Sequence, residues 1–180
     1  MRKALSALSL LLAAPLTHAA DASLALSNKT VAVDYTSQPI GRGLEVTAGL
    51  LHHSDNGNLG SFGLQASQQV NRDLAASVGG KLVFIQNDIK NAWALALGGQ
   101  VDMALPGLSQ VHVGLHAWYA PGVTSFNGAD SLYDIGTSVS YRVLSNAEVF
   151  AAYRRVRVDY DQKGGKSIQS GPLFGMKLFF

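Results

Sequence analysis

The sequence has no cysteine, few charged residues and no long apolar run after its first residues. Without cysteine, disulfides and thiolate metal sites are excluded. Charged residues make up 14% of the chain, against about 25% in ordinary soluble domains. No segment beyond residue 16 approaches the run of about 20 apolar residues that a membrane helix needs. The 47% of hydrophobic residues is therefore not due to a membrane helix after the first residues.

The N-terminal residues have the pattern of an export signal. Arg2 and Lys3 precede an apolar stretch at residues 4–16, and Thr17, His18 and Ala19 form a small-residue cleavage site. We predict a signal peptide at residues 1–19, with cleavage after Ala20 or Ala22 as alternatives, and one domain at residues 20–180. Loss of the two basic residues leaves 12 basic and 12 acidic residues. A neutral domain gives no indication of nucleic-acid binding.

Eight segments of the remaining chain alternate between apolar and small or polar residues. This period of two predicts strands with one apolar face. The last segment ends on Phe180 and places Phe174, Met176 and Leu178 on the same face. An apolar strand at the very end of a chain is typical of the closing strand of an outer-membrane barrel. The eight segments are residues 43–53, 59–68, 73–84, 92–105, 111–119, 133–143, 147–160 and 171–180.

Two local features qualify this pattern. Residues 20–40 contain two shorter alternating stretches, which predict a hairpin and raise the strand number from eight to ten. We favour ten short strands, with eight strands and an N-terminal arm as the close alternative; both even numbers leave the termini on one rim. In residues 147–160 the apolar face changes parity, which predicts a β-bulge near Arg154 and Arg155.

The residues opposite the apolar face indicate a membrane barrel. They are mostly Gly, Ala and Ser with sparse charges, which suits a narrow interior better than a solvated exterior. Short turns also alternate with longer polar loops, as in outer-membrane barrels. The fold class is therefore an all-β, antiparallel, up-and-down transmembrane β-barrel. We expect it in the outer membrane of a Gram-negative bacterium, as a monomer whose partners are outer-membrane lipid or lipopolysaccharide and the barrel-assembly machinery, with no cofactor.

With these segments placed, the chain resembles the YfaZ family of outer-membrane proteins. The resemblance lies in residues 43–58 (GLEVTAGLLHHSDNGN), 77–81 (SVGGK), 96–100 (ALGGQ), 118–121 (WYAP), 152–155 (AYRR) and the Phe ending. It implies an outer-membrane barrel and carries no catalytic residue over to this chain.

Three sets of residues are candidates for function. One set is the ionisable residues expected to line the lumen, either as salt bridges that fill it or as a conduction path: Glu45, Lys81, Asp102, Asp134, Arg142, Glu148, Arg154 and Lys177. The second is a basic group that could contact lipopolysaccharide phosphates: Arg155, Arg157, Lys163 and Lys166. The third is a C-terminal assembly signal: Phe174, Met176, Leu178 and Phe180.

Histidines offer little evidence of catalysis. His53, Ser54 and Asp55 could form a nucleophilic triad of a lipid hydrolase at the rim, but adjacency in sequence does not establish triad geometry. His112 and His116 share a strand face at roughly 13 Å, too far apart to bind one metal directly. We therefore expect no catalysis, and a structural, envelope or lipid-binding role. The alternative is a narrow diffusion pore, and a rim lipid hydrolase ranks below it.

Overall fold

The structure is a computed structural model that describes residues 20–88, 91–160 and 164–180. This part of the chain is almost entirely strand, with one turn of 3₁₀ helix at Gly122–Thr124. None of its helices is long and apolar enough to cross a membrane. The strands are β1 (Asp21–Leu26), β2 (Thr30–Thr36), β3 (Leu44–His53), β4 (Gly57–Asn71), β5 (Leu74–Gln86), β6 (Ala92–Leu105), β7 (Leu108–Ala120), β8 (Ser125–Phe126), β9 (Ala129–Leu144), β10 (Ala147–Tyr160) and β11 (Gly164–Phe179).

Ten of these strands form a closed antiparallel barrel. Strands β1 to β7 pair in chain order, β7 pairs with β9, and β9, β10 and β11 follow in order. Strand β1 pairs with β11 and closes the ring. The two-residue β8 lies in the connection after β7 and pairs with β6 at Trp93 and Ala94. The prediction of ten strands is confirmed, and the eight-stranded alternative is wrong because the hairpin β1–β2 completes the ring.

The last strand is paired on both sides. Leu24 lies opposite Met176 and Leu26 opposite Phe174, and β10 covers the other edge of β11. The backbone N–H of Phe180 also donates to the carbonyl of Ala20, at 2.9 Å. Both edges of this apolar segment are therefore hydrogen-bonded from Phe174 to Leu178.

The two ends of the barrel differ in their connections. We call the end that holds Asp21 and Phe179 the terminal rim, and the opposite end the loop rim. The terminal rim has two-residue turns at 72–73, 106–107 and 145–146, but also a seven-residue connection at 37–43. The loop rim has three-residue turns at 27–29 and 54–56 and an eight-residue connection at 121–128. The predicted alternation therefore holds where turns were predicted, since these have two residues while the loop-rim connections are longer, and the seven-residue connection at 37–43 departs from it.

The outer wall carries the large apolar side chains. Phe62 and Phe84 are each 53% exposed, and Leu97 is 63% exposed. Tyr119 and Tyr133 lie directly opposite each other on neighbouring strands near the loop rim. An apolar belt bordered by aromatic residues is the surface that a bilayer-spanning barrel presents to lipid.

The barrel interior has two zones, whereas the sequence predicted an interior of small residues with sparse charges throughout. Near the loop rim the inward side chains are apolar and form an apolar plug. It includes Leu51, Leu59, Val83, Ile85, Trp118, Leu132, Val156, Val158, Tyr160 and Ile168. Polar and charged side chains fill the zone toward the terminal rim. The sequence pattern missed the plug because apolar residues occupy both faces of these strand ends, so the inner apolar residues are hidden among the outer ones.

Strand β10 explains the change of parity in its sequence. Val156 and Val158 are fully buried, while Arg155 is exposed. The strand therefore keeps its alternation of inward and outward residues, and only the chemical type of the inward residues changes, from polar before Arg155 to apolar after it. The predicted bulge at Arg154 and Arg155 is wrong. The register shift lies on β11, where Val156 pairs with Gln169 and Arg157 pairs with Ser167.

Candidate functional site in the barrel interior

A buried carboxylate organises the middle of the barrel. Arg154 donates from Nε to Asp134 Oδ1 at 2.9 Å and from Nη2 to Oδ2 at 2.8 Å. Lys81 Nζ donates to Asp134 Oδ2 at 2.8 Å, and His116 Nε2 lies 3.3 Å from Oδ1. The side chain of Asp134 is only 2% exposed. Its charge is therefore compensated by paired hydrogen bonds, as a buried ion requires.

Strand alternation directs the side chains of this cluster inward, and glycines on the neighbouring strands leave room for them. Lys81, Asp134 and Arg154 lie on β5, β9 and β10, and each points inward because its neighbours along the strand point outward. A side chain at Gly63 would meet Lys81, and one at Gly136 would meet His116. Glycine at these two positions thus admits the long side chains into a narrow interior.

The charged cluster adjoins the apolar plug. Lys81 Nζ lies 4.7 Å from the ring centroid of Trp118, within the range of a cation–π contact. Trp118 is 6% exposed, and Leu132 and Ile168 are fully buried. The interior therefore passes from charged to densely apolar at this level.

On the terminal-rim side the interior opens into a polar cavity of about 440 Å³. Asp34, Glu45, Lys177 and the charged cluster line it. Arg154 Nη1 lies 3.8 Å from Asp34 Oδ2, and Gln65 donates to Glu45 at 2.8 Å. Asp21 and Asp102 also line it, so five carboxylates face three Lys or Arg side chains and the lining has a net negative formal charge.

The remaining interior charges form separate pairs nearer the terminal rim. Arg142 donates to Glu148 Oε1 through Nε at 3.1 Å and Nη2 at 2.8 Å. His112 Nδ1 lies 2.9 Å from Asp102 Oδ1. The described residues contain no group of three or more His, Cys, Asp or Glu side chains that could hold a metal ion. The eight ionisable residues singled out in sequence thus all lie inside the barrel, in distinct groups.

Two of the basic residues proposed as a lipopolysaccharide contact are held in ion pairs. Arg157 is paired with Asp159 at 2.9 Å, and Lys166 lies 3.7 Å from Asp88. Arg155 points outward and has no ion pair with any described residue. Lys163 lies outside the described residues.

The histidines near the turn at 54–56 are not arranged as a catalytic triad. Ser54 Oγ donates to the carbonyl of Lys29 at 3.3 Å, and Asp55 pairs with the Lys29 ammonium. His53 Nδ1 accepts from the backbone N–H of Asp55 at 3.2 Å. No hydrogen bond joins Ser54 to His53 among those described, so the nucleophile and base of the hypothetical triad are not in contact.

Sequence reasoning missed two members of the central cluster. Asp34 lies on β2, in the stretch with the weakest alternation, and His116 was assigned only a lining role. Their strand parity places them inward, which is the signal that could have linked them to Arg154 and Asp134. Which inward side chains meet across the strands depends on the strand register, and the register cannot be read from the sequence.

Comparison with known proteins identifies a family. The family model described as "YfaZ precursor" matches residues 1–180, so the chain belongs to that family. A search of curated proteins gave no significant match.

Two of the solved structures to which this chain is similar are identified by their descriptions. A chain described as "KdgM porin" has 11% identity and a TM-score of 0.46, and the match covers 91% of this chain and 99% of that one. A chain described as "Unveiling the Mechanism Behind the in-meso Crystallization of Membrane Proteins" has 10% identity and a TM-score of 0.47, with coverage of 91% and 83%. At these values neither similarity bears on what this chain binds or transports.

Proposed function

We propose that this member of the YfaZ precursor family is a small outer-membrane barrel with a structural, lipid-contacting role in the envelope, and that it does not conduct. The observation that carries this proposal is the apolar plug. Its members Val156, Val158 and Ile168 are fully buried inside the barrel. A hydrated conduction path requires polar, accessible lining along its whole length, and the plug interrupts that lining.

The location is supported by the outer wall and by closure of the sheet. Lipid offers no hydrogen bonds, so a sheet can span a bilayer only as a closed barrel. The exposed apolar residues, including Leu50 and Phe174, suit that environment. We propose export through a cleaved signal at residues 1–19 and insertion as a monomer by the barrel-assembly machinery, with the end of β11 as its recognition segment.

Planar-bilayer recording of protein purified from membranes tests the proposal. We expect no discrete conductance steps from samples whose folded state is verified by heat-dependent gel mobility. The double variant Leu132→Ala with Val156→Ala shortens two plug residues and should remain closed or conduct weakly. Reproducible steps from the unaltered protein would overturn the proposal.

A narrow pore is the second candidate, because the polar cavity reaches from the terminal rim to the charged cluster. It requires the plug to open. Under this alternative, conductance would appear in the unaltered protein and would change on substitution of Lys81 by Gln, since Lys81 lies between cavity and plug. If the conductance steps of the Lys81→Gln variant were the same as those of the unaltered protein, the ions would pass by a path that does not include Lys81.

Catalysis at the loop rim forms no part of the proposed function. Ser54 and Asp55 are held by Lys29, and His53 is engaged by backbone and Asn56. Assays of phospholipid and lipid A hydrolysis should give no turnover. Turnover that disappears in both His53→Ala and Ser54→Ala would instead establish the rim hydrolase.

A further inference from the structure

The lipid-facing wall contains a groove of about 680 Å³ across β5, β6, β7, β9 and β10. Its floor includes Gly99, Ala117 and Thr137, and it is flanked by larger apolar side chains such as Leu115 and Ile135. The groove therefore comes from small outward residues on three successive strands of the ring.

Register places Arg155 at one end of this groove. Val78 pairs with Gly99, Gly99 with Ala117, Ala117 with Ile135, and Ile135 with Arg155. This row of paired residues crosses the wall obliquely. On β5 it lies four residues from the terminal rim, counted from Leu74 to Val78, and on β10 it lies eight residues from that rim, counted from Ala147 to Arg155. The groove therefore runs from Arg155, nearer the loop rim, down the wall toward the terminal rim.

Arg155 is unusual among the outward basic residues near it. Arg157 has Asp159 as partner at 2.9 Å, whereas Arg155 is exposed and has no ion pair among the described residues. It also lies one row deeper in the wall than Tyr119, Tyr133 and Arg157. An unpaired charge on a lipid-facing wall is costly, and a guanidinium is compensated well by a phosphate, which accepts two parallel hydrogen bonds.

We propose that the groove and Arg155 form a binding site for one phosphorylated lipid of the outer leaflet, namely the lipid A part of lipopolysaccharide. A lipid A phosphate accepts hydrogen bonds from Arg155, and one acyl chain lies over Gly99 and Ala117. The charge is complementary, and the direction of the groove matches an outer-leaflet lipid, because the loop rim of such barrels faces outward. This inference rests on the membrane location proposed above and assigns the contact to Arg155 rather than to a cluster of basic residues.

Retention of lipid by the purified protein tests the site. Protein extracted from membranes is exchanged into zwitterionic detergent micelles that contain lipid A, separated by gel filtration, and analysed for bound lipid by mass spectrometry. Arg155→Gln removes the phosphate partner, and Ala117→Leu fills the groove. Each should lower retention roughly tenfold or more, on the scale of a charged hydrogen bond.

Matched controls separate the site from general effects. Arg157→Gln removes a neighbouring, ion-paired arginine, and Ala151→Leu enlarges an outward residue on β10 beyond the groove. Both should retain lipid A as the unaltered protein does, and Arg155→Lys should retain an intermediate amount. Dephosphorylated lipid A should bind the unaltered protein as weakly as lipid A binds Arg155→Gln.

Several outcomes would overturn the proposal. They are equal retention by all variants, equal loss in the controls, or equal retention of phosphatidylglycerol, which would make the site one for any anionic lipid. Heat-dependent mobility and bilayer insertion are measured on the same samples. A barrel that inserts without conducting and retains no lipid A would refute this site and leave the proposed function standing.

Discussion

Lys81 and Asp134 are 53 residues apart in sequence and meet at 2.8 Å inside the barrel. They lie on β5 and β9, which are separated in the ring by β6 and β7. The contact therefore crosses the interior rather than following the sheet. Together with Arg154 on β10, which binds the same carboxylate, it joins β5 to β9 and β10.

Replacement of Asp134 by Asn should strongly destabilise the folded barrel. The substitution leaves Lys81 and Arg154 buried without their counter-ion, and removal of one partner from a buried pair costs about 3–5 kcal/mol. Urea unfolding in detergent micelles, followed by tryptophan fluorescence, measures the change. Asp102→Asn is the matched control, since its side chain is 51% exposed and its pairing should contribute less than about 1 kcal/mol. Equal effects of the two substitutions would contradict the central role of Asp134.

The alternation of residues predicted the barrel and its wall well, and the interior less well. Periodicity of two fixes which face a residue occupies, as for Leu44 and Glu45 on β3, and closure follows because lipid offers no hydrogen bonds to a free sheet edge. The parity change after Arg154 was open to two explanations, a bulge or an apolar interior. Sequence pattern cannot choose between them, because either one places Val156 next to apolar neighbours.

The orientation of β10 can be tested by single-cysteine labelling, since the chain has no native cysteine. A water-soluble maleimide should label Arg157→Cys, which is outward near the loop rim, and should leave Val158→Cys unlabelled because that position is fully buried. Val123→Cys, 86% exposed in its connection, is the positive control. A bulge near Arg154 and Arg155 would reverse the first two results. Labelling of Val158→Cys in the folded protein would therefore support the bulge.

Deletion of Phe180 should reduce the fraction of protein that assembles. The last residue contributes an aromatic side chain that is 41% exposed and a backbone hydrogen bond to Ala20, next to the strand that closes the ring. The folded fraction in isolated membranes is measured by heat-dependent gel mobility. Phe126→Ala removes an equally exposed aromatic at the loop rim and should assemble normally. Normal assembly of the deletion variant would argue against an assembly role for the C-terminal residue.

The ion pair between Lys29 and Asp55 joins the turns at 27–29 and 54–56, and its contribution to stability should depend on pH. A hydrogen bond from Lys29 holds the pKa of the Asp55 carboxyl below its usual value of 3.8. A lowered pKa means that the ion pair stabilises the fold above that value and that the contribution is lost as pH falls below it. Lys29→Gln should therefore lower the thermal midpoint slightly at pH 7 and by less at pH 3, and high salt should reduce the difference. Arg72→Gln, an exposed turn residue at the opposite rim, should cause no such pH-dependent difference. A Lys29→Gln effect of equal size at both pH values would show that Lys29 acts through packing rather than through its charge.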